Sequence, residues 1–414
     1  MKRTSRNNIT NLKPVEKVEL DESNVKRRLI LTVLALAVAG VAIGYGISTL
    51  TSSSKGWNTI EVNSSAQLNS GSEFTFSYYL GKNGSPTAER KALSLLYTEA
   101  CEQAYADFDD YNIYEGINNI RYINEHPNQK IQVSDYLYAS LSKMVGKGGR
   151  YLYLGPLYEI YCNVLYTDND TSAELYDVYY SEEYRDFAQQ LLSYINNSEN
   201  VELELLGNNT ISLNISQEYY DYCKANGVKS LISFSWLRNA FIIDFLAERI
   251  MSAGYNNGNL ASNDGYAINF GGQETIFNLF DWSSNNIFQA GSMAIKEKEN
   301  IINLKSFPLT REDNDYYIYQ DGIIRTAHIS NNDIYNIDRH PESLIAYSKD
   351  VACADIVIEI MADYLNKDFN YSDFGKYVSK GIQSIYIKDK TISFTEKGQV
   401  IDYDKDNYTI EHFE

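Results

Sequence analysis

Residues 237–272 read LRNAFIIDFLAERIMSAGYNNGNLASNDGYAINFGG, the stretch that says most about the architecture. From Leu237 to Ala253, apolar side chains recur at helical spacing, which predicts an amphipathic helix. The run YAINF that follows at 266–270 is typical of a strand, and the pair Gly271-Gly272 predicts a tight turn after it. A helix followed by a strand indicates helices that pack on a sheet.

The same mixture of helices and strands continues in both directions from this stretch. Strands are predicted at 74–80, at 201–215 as a hairpin around Gly207-Asn208-Asn209, and around 288–304, 316–329 and 383–395. Helices are predicted after Ser85-Pro86, from Ser134 to Gly148-Gly149, and over about 350–366. Helices and strands that alternate, with hairpins among them, predict an α+β or mixed α/β fold in one globular domain at 73–414.

The charges of the 414-residue chain are unevenly spread, although its formal net charge is −19. Residues 1–28 contain eight Lys or Arg and four Asp or Glu, a net charge of +4, and residues 29–50 contain no charge. The other 364 residues carry 28 basic and 51 acidic groups, a net charge of −23. Such an acidic body would repel phosphates, so the composition argues against a nucleic-acid partner.

The uncharged stretch predicts a membrane anchor. Leu29 to Ile47 is nineteen residues long, which as a helix spans about 28 Å, close to the hydrocarbon thickness of a bilayer. The basic residues before it predict a single-pass protein of the cell membrane with a cytoplasmic N-terminus. The expected organisation is a cytoplasmic basic tail (1–28), a transmembrane anchor (29–50), a flexible Ser-, Asn- and Gly-rich stalk (51–72) and an extracytoplasmic domain (73–414).

A cleavable signal peptide is the alternative to the anchor. Leu29–Ala39 would serve as its apolar region, and Ala37-Val38-Ala39 as its cleavage site. The basic leader is long for a signal peptide, and the apolar run continues past the cleavage site. These two features favour a retained anchor.

Several catalytic classes find no support in the motifs. The four cysteines (Cys101, Cys162, Cys223 and Cys353) are scattered and lack metal-ligand spacing. The four histidines form no H-E-x-x-H pair, which argues against a zinc hydrolase, and the absence of G-x-S-x-G argues against a serine hydrolase.

Seven short segments follow one another in an order that resembles one known family. They are Phe108-Asp-Asp-Tyr111 with Asn124, Ile131–Leu137, Gly155-Pro156-Leu157 with Tyr161, Asp244–Glu248, Asn269-Phe-Gly-Gly272, Ile337-Asp338 and Ala354-Asp355. In this order the chain resembles the FAD:protein FMN transferases, the ApbE family, over most of residues 73–397. That resemblance implies an ApbE-like domain that uses FAD and Mg²⁺ to attach FMN to a Thr or Ser of an envelope protein.

The resemblance also implies the candidate site residues. Asp338 would be catalytic, and Asp355 and Glu359 would bind Mg²⁺. Flavin contacts would come from Gly155, Pro156, Asn269, Gly271 and Gly272. From the residues alone, other interpretations stay open: Gly155-Pro156 and Gly271-Gly272 as turns, Asp338 as part of a charged surface loop, and Asp355 and Glu359 as a solvated acidic row.

Three departures from the family pattern bear on activity. The family's glycine-rich D-L-G-G-I-A-K-G segment reads Ser233-Phe-Ser-Trp-Leu-Arg-Asn-Ala240 here, without glycine, and Phe234 and Trp236 could obstruct a flavin. Tyr335 replaces the His of the H-I-I-D-P motif, and Glu359 replaces a Thr. The sequence therefore predicts either a divergent FMN transferase or a catalytically inactive ApbE-like scaffold or binding protein of an envelope complex. An unrelated adhesive ectodomain fits the acidic, Tyr-rich composition but explains none of the ordered segments.

Overall fold

The computed structural model describes residues 55–413, apart from 67, 83, 310–312, 314, 336–341, 367–368 and 397–400. The predicted cytoplasmic tail (1–28), the predicted anchor (29–50) and the start of the predicted stalk lie outside these residues. Within the described ranges, no helix has both the length and the apolar character needed to cross a membrane.

Helices and strands are distributed along the whole described chain. The helices are α1 (Pro86–Phe108), α2 (Ile120–Glu125), α3 (Asp135–Lys147), α4 (Gly155–Leu165), α5 (Asp170–Tyr176), α6 (Glu182–Ile195), α7 (Gln217–Ala225), α8 (Arg238–Ser252) and α9 (Cys353–Tyr364). The strands are β1 (Gly56–Thr59), β2 (Phe74–Leu80), β3 (Lys130–Gln132), β4 (Val201–Gly207), β5 (Thr210–Ile215), β6 (Gly258–Ser262), β7 (Tyr266–Asn269), β8 (Thr275–Ser283), β9 (Asn286–Ile295), β10 (Glu299–Lys305), β11 (Tyr316–Ile318), β12 (Ile324–Thr326), β13 (Ser343–Ser348), β14 (Gln383–Lys388), β15 (Thr391–Phe394), β16 (Ile401–Tyr403) and β17 (Thr409–His412).

The largest sheet has the strand order β1-β2-β6-β7-β10-β13-β14-β15-β17. Its neighbouring strands are antiparallel except β15 and β17, which run parallel. Smaller sheets have the orders β3-β5-β4 and β16-β9-β8, and β11 pairs with β12. This architecture confirms the predicted mixture of α and β structure.

The two faces of the large sheet belong to two hydrophobic cores. Alternate residues of β10 and β13 point to opposite faces, as in any strand. On one face, Ile302 and Leu344 join the main core with α1, α8 and α9. On the other face, Ile301 and Ile345 join a smaller core with the β8–β9 hairpin. Both strands are buried along their whole length because the sheet is covered on both faces at its centre.

Several predicted element boundaries are confirmed. Helix α1 starts at Pro86 after Ser85, and Ser134 caps α3 by accepting a hydrogen bond from the Leu137 N–H at 3.1 Å. The β4–β5 hairpin turns at Asn208 and Asn209, whose φ values of 46° and 58° are in the left-handed region that Asn tolerates.

Part of the segment predicted as a flexible stalk (51–72) forms secondary structure. Strand β1 pairs antiparallel with β2 and forms one edge of the large sheet. Ile60 is buried in the main core, and the buried Ser70 hydroxyl donates to the Cys101 carbonyl oxygen at 3.0 Å. The polar composition of this segment hid these contacts because its pairing depends on β2, which begins fifteen residues after β1 ends.

Candidate functional site

A cleft of about 390 Å³ opens between α3, α8 and the start of α9, beside β7 and the start of β10. Its volume falls in the range of about 300–1,000 Å³ that is usual for small-molecule sites. Apolar side chains such as Phe241 and Ile268 lie among the polar groups of Lys143, Asp244 and Asn300. The cleft is therefore a candidate site among the described residues.

Asp244 joins the cleft to the first turn of α9. Helix α9 begins after Ala352, which has no side chain able to cap it, so its first N–H groups need an acceptor from elsewhere. The Asp244 carboxylate, from α8, accepts hydrogen bonds from the Cys353 N–H at 3.0 Å and the Ala354 N–H at 2.9 Å. Removal from water is the largest influence on this carboxyl and raises its pKa to about 7.

This raised pKa predicts a pH dependence of stability that Asp244→Asn should reduce. The pKa of Asp244 rises from an ordinary 3.8 to about 7 on folding, so the folded chain binds a proton more readily between those values. The contribution of Asp244 to stability is therefore largest at low pH and is lost as the pH rises toward 7. We expect the thermal midpoint of the wild type to fall more between about pH 5 and about pH 8 than that of Asp244→Asn.

The matched control is Asp402→Asn, which changes an exposed carboxylate far along the chain. It should keep the pH dependence of the wild type. An Asp244→Asn variant whose midpoint follows pH as steeply as the wild type would contradict the role of this group.

The predicted metal ligands lie in an acidic row along α9, and each member has a lysine partner. Asp355 is bound by Lys143 at 2.7 Å and by Lys147 at 3.7 Å. Glu359 pairs with Lys380, and Asp363, one turn further on, pairs with Lys376. These carboxylates therefore form the acidic row that was the alternative to a metal site. Lysines of α3 and of the 3₁₀ segment Tyr371–Lys380 pair with this row.

These carboxylates do not fit a divalent cation. A Mg²⁺ site needs several oxygen ligands that converge on one point and a surplus of negative charge. Here the ammonium groups of Lys143 and Lys380 hold Asp355 and Glu359 separately and balance their charge. Within the described ranges, no group of three or more His, Cys, Asp and Glu side chains is arranged to hold a metal ion.

Gly155 and Pro156, predicted flavin contacts, start α4 and are buried. Proline suits the first turn of a helix because N–H groups there have no acceptor within the helix, so the missing N–H of proline costs no hydrogen bond. A Cβ atom on Gly155 would lie 2.5 Å from the Ser230 carbonyl oxygen. Close packing against the backbone of Ser230 therefore explains why this position is glycine.

The turn at Asn269, Gly271 and Gly272 is also held by internal contacts. The Asn269 side chain donates to the Glu297 carbonyl oxygen at 2.7 Å and accepts from the Thr275 hydroxyl at 3.0 Å. Gly271 and Gly272 have φ values of 89° and 75°, which glycine adopts without strain. The Gly272 carbonyl oxygen accepts from Lys82. Contacts within the fold therefore account for this turn, as they do for the turn at Gly155.

The segment Ser233–Ala240, which replaces the glycine-rich motif, is packed into the main core. The Phe234 ring lies 4.9 Å from Phe108 and 4.7 Å from Phe241, measured between ring centroids. Trp236 contacts His328 at 4.9 Å, and its carbonyl oxygen accepts from the Tyr266 hydroxyl at 3.1 Å. The two bulky side chains predicted as obstructions therefore serve the core.

Solved structures resemble the described architecture over most of its length. A crystal structure of the ApbE protein from Thermotoga maritima matches 80% of this chain and 94% of that one, with a TM-score of 0.52 and 13% identity. The flavin transferase ApbE from Vibrio cholerae matches 80% of this chain and 93% of that one, with a TM-score of 0.51 and 13% identity. The chain has an ApbE-like fold. No family model matches the chain, and neither does any curated protein.

Asp338, the residue predicted to be catalytic in this ApbE-like fold, lies outside the described residues. Tyr335, which stands where the family has His, is described. Its carbonyl oxygen accepts from the Tyr179 hydroxyl at 3.1 Å, and the two rings lie 4.9 Å apart. Tyr335 thus has structural contacts of its own.

No motif in the sequence indicates the lysines that pair with Asp355 in this ApbE-like fold. Lys143 and Lys147 are four residues apart on α3, so both face Asp355. That spacing was visible in the sequence, but only the packing of α3 against α9 gives it a partner. Lys298, which also lines the cleft, carried no motif signal, whereas Glu248 ends the family-like segment Asp244–Glu248.

Proposed function

We propose that this chain is a flavin-transferase-like protein that acts as a non-catalytic binding protein. The observation that carries the proposal is the lysine pairing of Asp355 and Glu359, the positions that resemble the family's metal ligands. Metal-assisted phosphoryl transfer depends on a cation that neutralises the phosphates. A carboxylate already held by an ammonium group supplies no free charge for that cation.

The second candidate is a working FAD:protein FMN transferase. It is favoured by the fold-level match to the flavin transferase from Vibrio cholerae over 80% of this chain. In this version a Thr or Ser hydroxyl of an envelope protein would attack FAD and take up FMN, AMP would be released, and Mg²⁺ would offset the phosphate charge. The acidic body, with its net charge of −23 beyond residue 50, opposes the approach of anionic FAD.

In both versions the chain is anchored in the cell membrane by residues 29–50. The support is the uncharged stretch 29–50 directly after Lys26, Arg27 and Arg28. The folded domain would then lie outside the cytoplasm, where its partner would be an envelope protein.

A transfer assay separates the two candidates. The full chain, purified in detergent, is mixed with FAD, Mg²⁺ and an acceptor protein that carries a flavinylation motif. We expect no covalent flavin on the acceptor by mass spectrometry, and no change in thermal midpoint on adding FAD with Mg²⁺, because lysines already pair with Asp355 and Glu359.

The control is the double substitution Lys143→Ala and Lys147→Ala, which frees Asp355 of its two partners. This variant should respond to Mg²⁺ more strongly than the wild type in the same thermal measurement. Covalent flavin on the acceptor with the wild type, lost in Asp355→Ala, would instead establish the transferase.

A further inference from the structure

We propose that the cleft between α3, α8 and α9 binds a small organic cation, with an ammonium or guanidinium head and an apolar body. This inference goes beyond the proposed function, since it holds whether or not the chain transfers FMN. It depends on the charges of the cleft, on its floor and on its size.

The charges left without a partner in the cleft are mainly acidic. Lys143 is already neutralised by Asp355 at 2.7 Å. Of the other charged side chains in the lining, Glu248 and Asp350 form no ion pair with any described residue, and neither does Lys298. These two carboxylates outnumber the one unpaired ammonium group, so the lining carries a surplus of negative charge.

An anion has no comparable place in this cleft. The start of α9 would ordinarily attract one, because the first N–H groups of a helix are free donors. Here the Cys353 and Ala354 N–H groups both donate to Asp244. An anionic ligand would therefore find these two donors already occupied.

The floor of the cleft suits an apolar body. The accessible apolar groups of the lining include the half-buried Met251 and the exposed Ala139, and Phe241 and Ile268 pack behind them at 1% and 2% exposed. At about 30 Å³ for each water-sized unit, a cleft of this volume holds roughly a dozen heavy atoms. A ring or short chain bearing one amine meets both requirements, because hydrophobic burial and charge pairing then act on the same molecule.

The test uses three probes of similar shape and different charge: phenethylamine, 2-phenylethanol and phenylacetate. Binding to the full chain in detergent is measured by isothermal titration calorimetry. Phenethylamine should bind about tenfold more tightly than 2-phenylethanol, since each of the two exposed carboxylates, Glu248 and Asp350, adds up to about fivefold, and phenylacetate should bind least. A preference for phenylacetate, or no difference among the three probes, overturns the proposal.

Variants locate the binding. The double substitution Glu248→Gln and Asp350→Asn should weaken phenethylamine binding about tenfold and leave 2-phenylethanol unchanged. Glu274→Gln, which changes an exposed carboxylate paired with Lys296 outside the cleft, should alter neither. Ala139→Trp, at an exposed position of the rim, fills the cleft without changing its charge and should abolish binding of both probes. Unchanged amine binding in the double variant or in Ala139→Trp overturns the assignment.

Discussion

Asp177→Ala should destabilise the fold by about 3–5 kcal/mol, because it removes a buried carboxylate that pairs with a buried guanidinium. One Asp177 oxygen accepts from Arg325 Nε at 2.7 Å and from the Tyr319 hydroxyl at 2.8 Å, and the other accepts from the Tyr179 N–H at 2.9 Å. The side chains of Asp177 and Arg325 are 0% and 2% exposed. A loss of this size is a large part of the roughly 5–15 kcal/mol that stabilises a typical domain.

Urea unfolding of the full chain measures this effect. The control is Glu274→Ala, whose ion pair with Lys296 has side chains 54% and 72% exposed and spans 3.2 Å. Pairs this exposed contribute at most about 1 kcal/mol. Adding Arg325→Met to Asp177→Ala should recover part of the stability, since it also removes the buried charge that Asp177 offset. Equal effects of Asp177→Ala and Glu274→Ala would show that the buried pair does not anchor β11–β12 to the rest of the fold.

Gly155→Ala should destabilise the fold by about 1–3 kcal/mol, the usual range for an atom forced into a packed interior. The added Cβ would lie 2.5 Å from the Ser230 carbonyl oxygen and 3.1 Å from its carbon, both of which are backbone atoms. Neither atom can rotate away as a side chain could. The thermal midpoint and the urea midpoint of the full chain measure the loss.

Gly146→Ala provides the matched control. Gly146 lies in α3, and a Cβ there would meet nothing within 4 Å. Alanine is favoured over glycine in a helix by up to about 1 kcal/mol, so this variant should be neutral or stabilised. If Gly155→Ala kept full stability, the packing explanation would fail and the flavin contact implied by the sequence would gain support.

Local patterns were enough to predict much of the fold. The helix from Ser134 to Gly148 has its signals within a few residues, a cap at one end and glycines at the other, and the structure follows them. The turn at Asn208-Asn209 is similarly local. Strand β1 could not be found in this way, because GWNT has no clear alternation and pairs only through β2.

The candidate site shows the same division between local and distant information. That Asp355 and Glu359 share one side of a helix followed from their spacing, and the structure keeps them there. Their partners did not follow, since Lys143 is 212 residues from Asp355 and Lys380 is 21 residues from Glu359. Asp244 likewise acquires its raised pKa only when α8 and α9 meet. The ion pairs and the pKa of these carboxylates therefore depend on residues that no sequence motif connects to them.

The edge position of β1 has a consequence for self-association. A chain cut at residue 73, where composition alone would start the domain, keeps β2 but loses the four residues that cover its outer side. The backbone N–H and C=O groups of β2 would then form an open template for the strand of another molecule. Strand β1 thus covers the edge of β2 and limits aggregation through that edge. A soluble fragment would need to begin before Gly56.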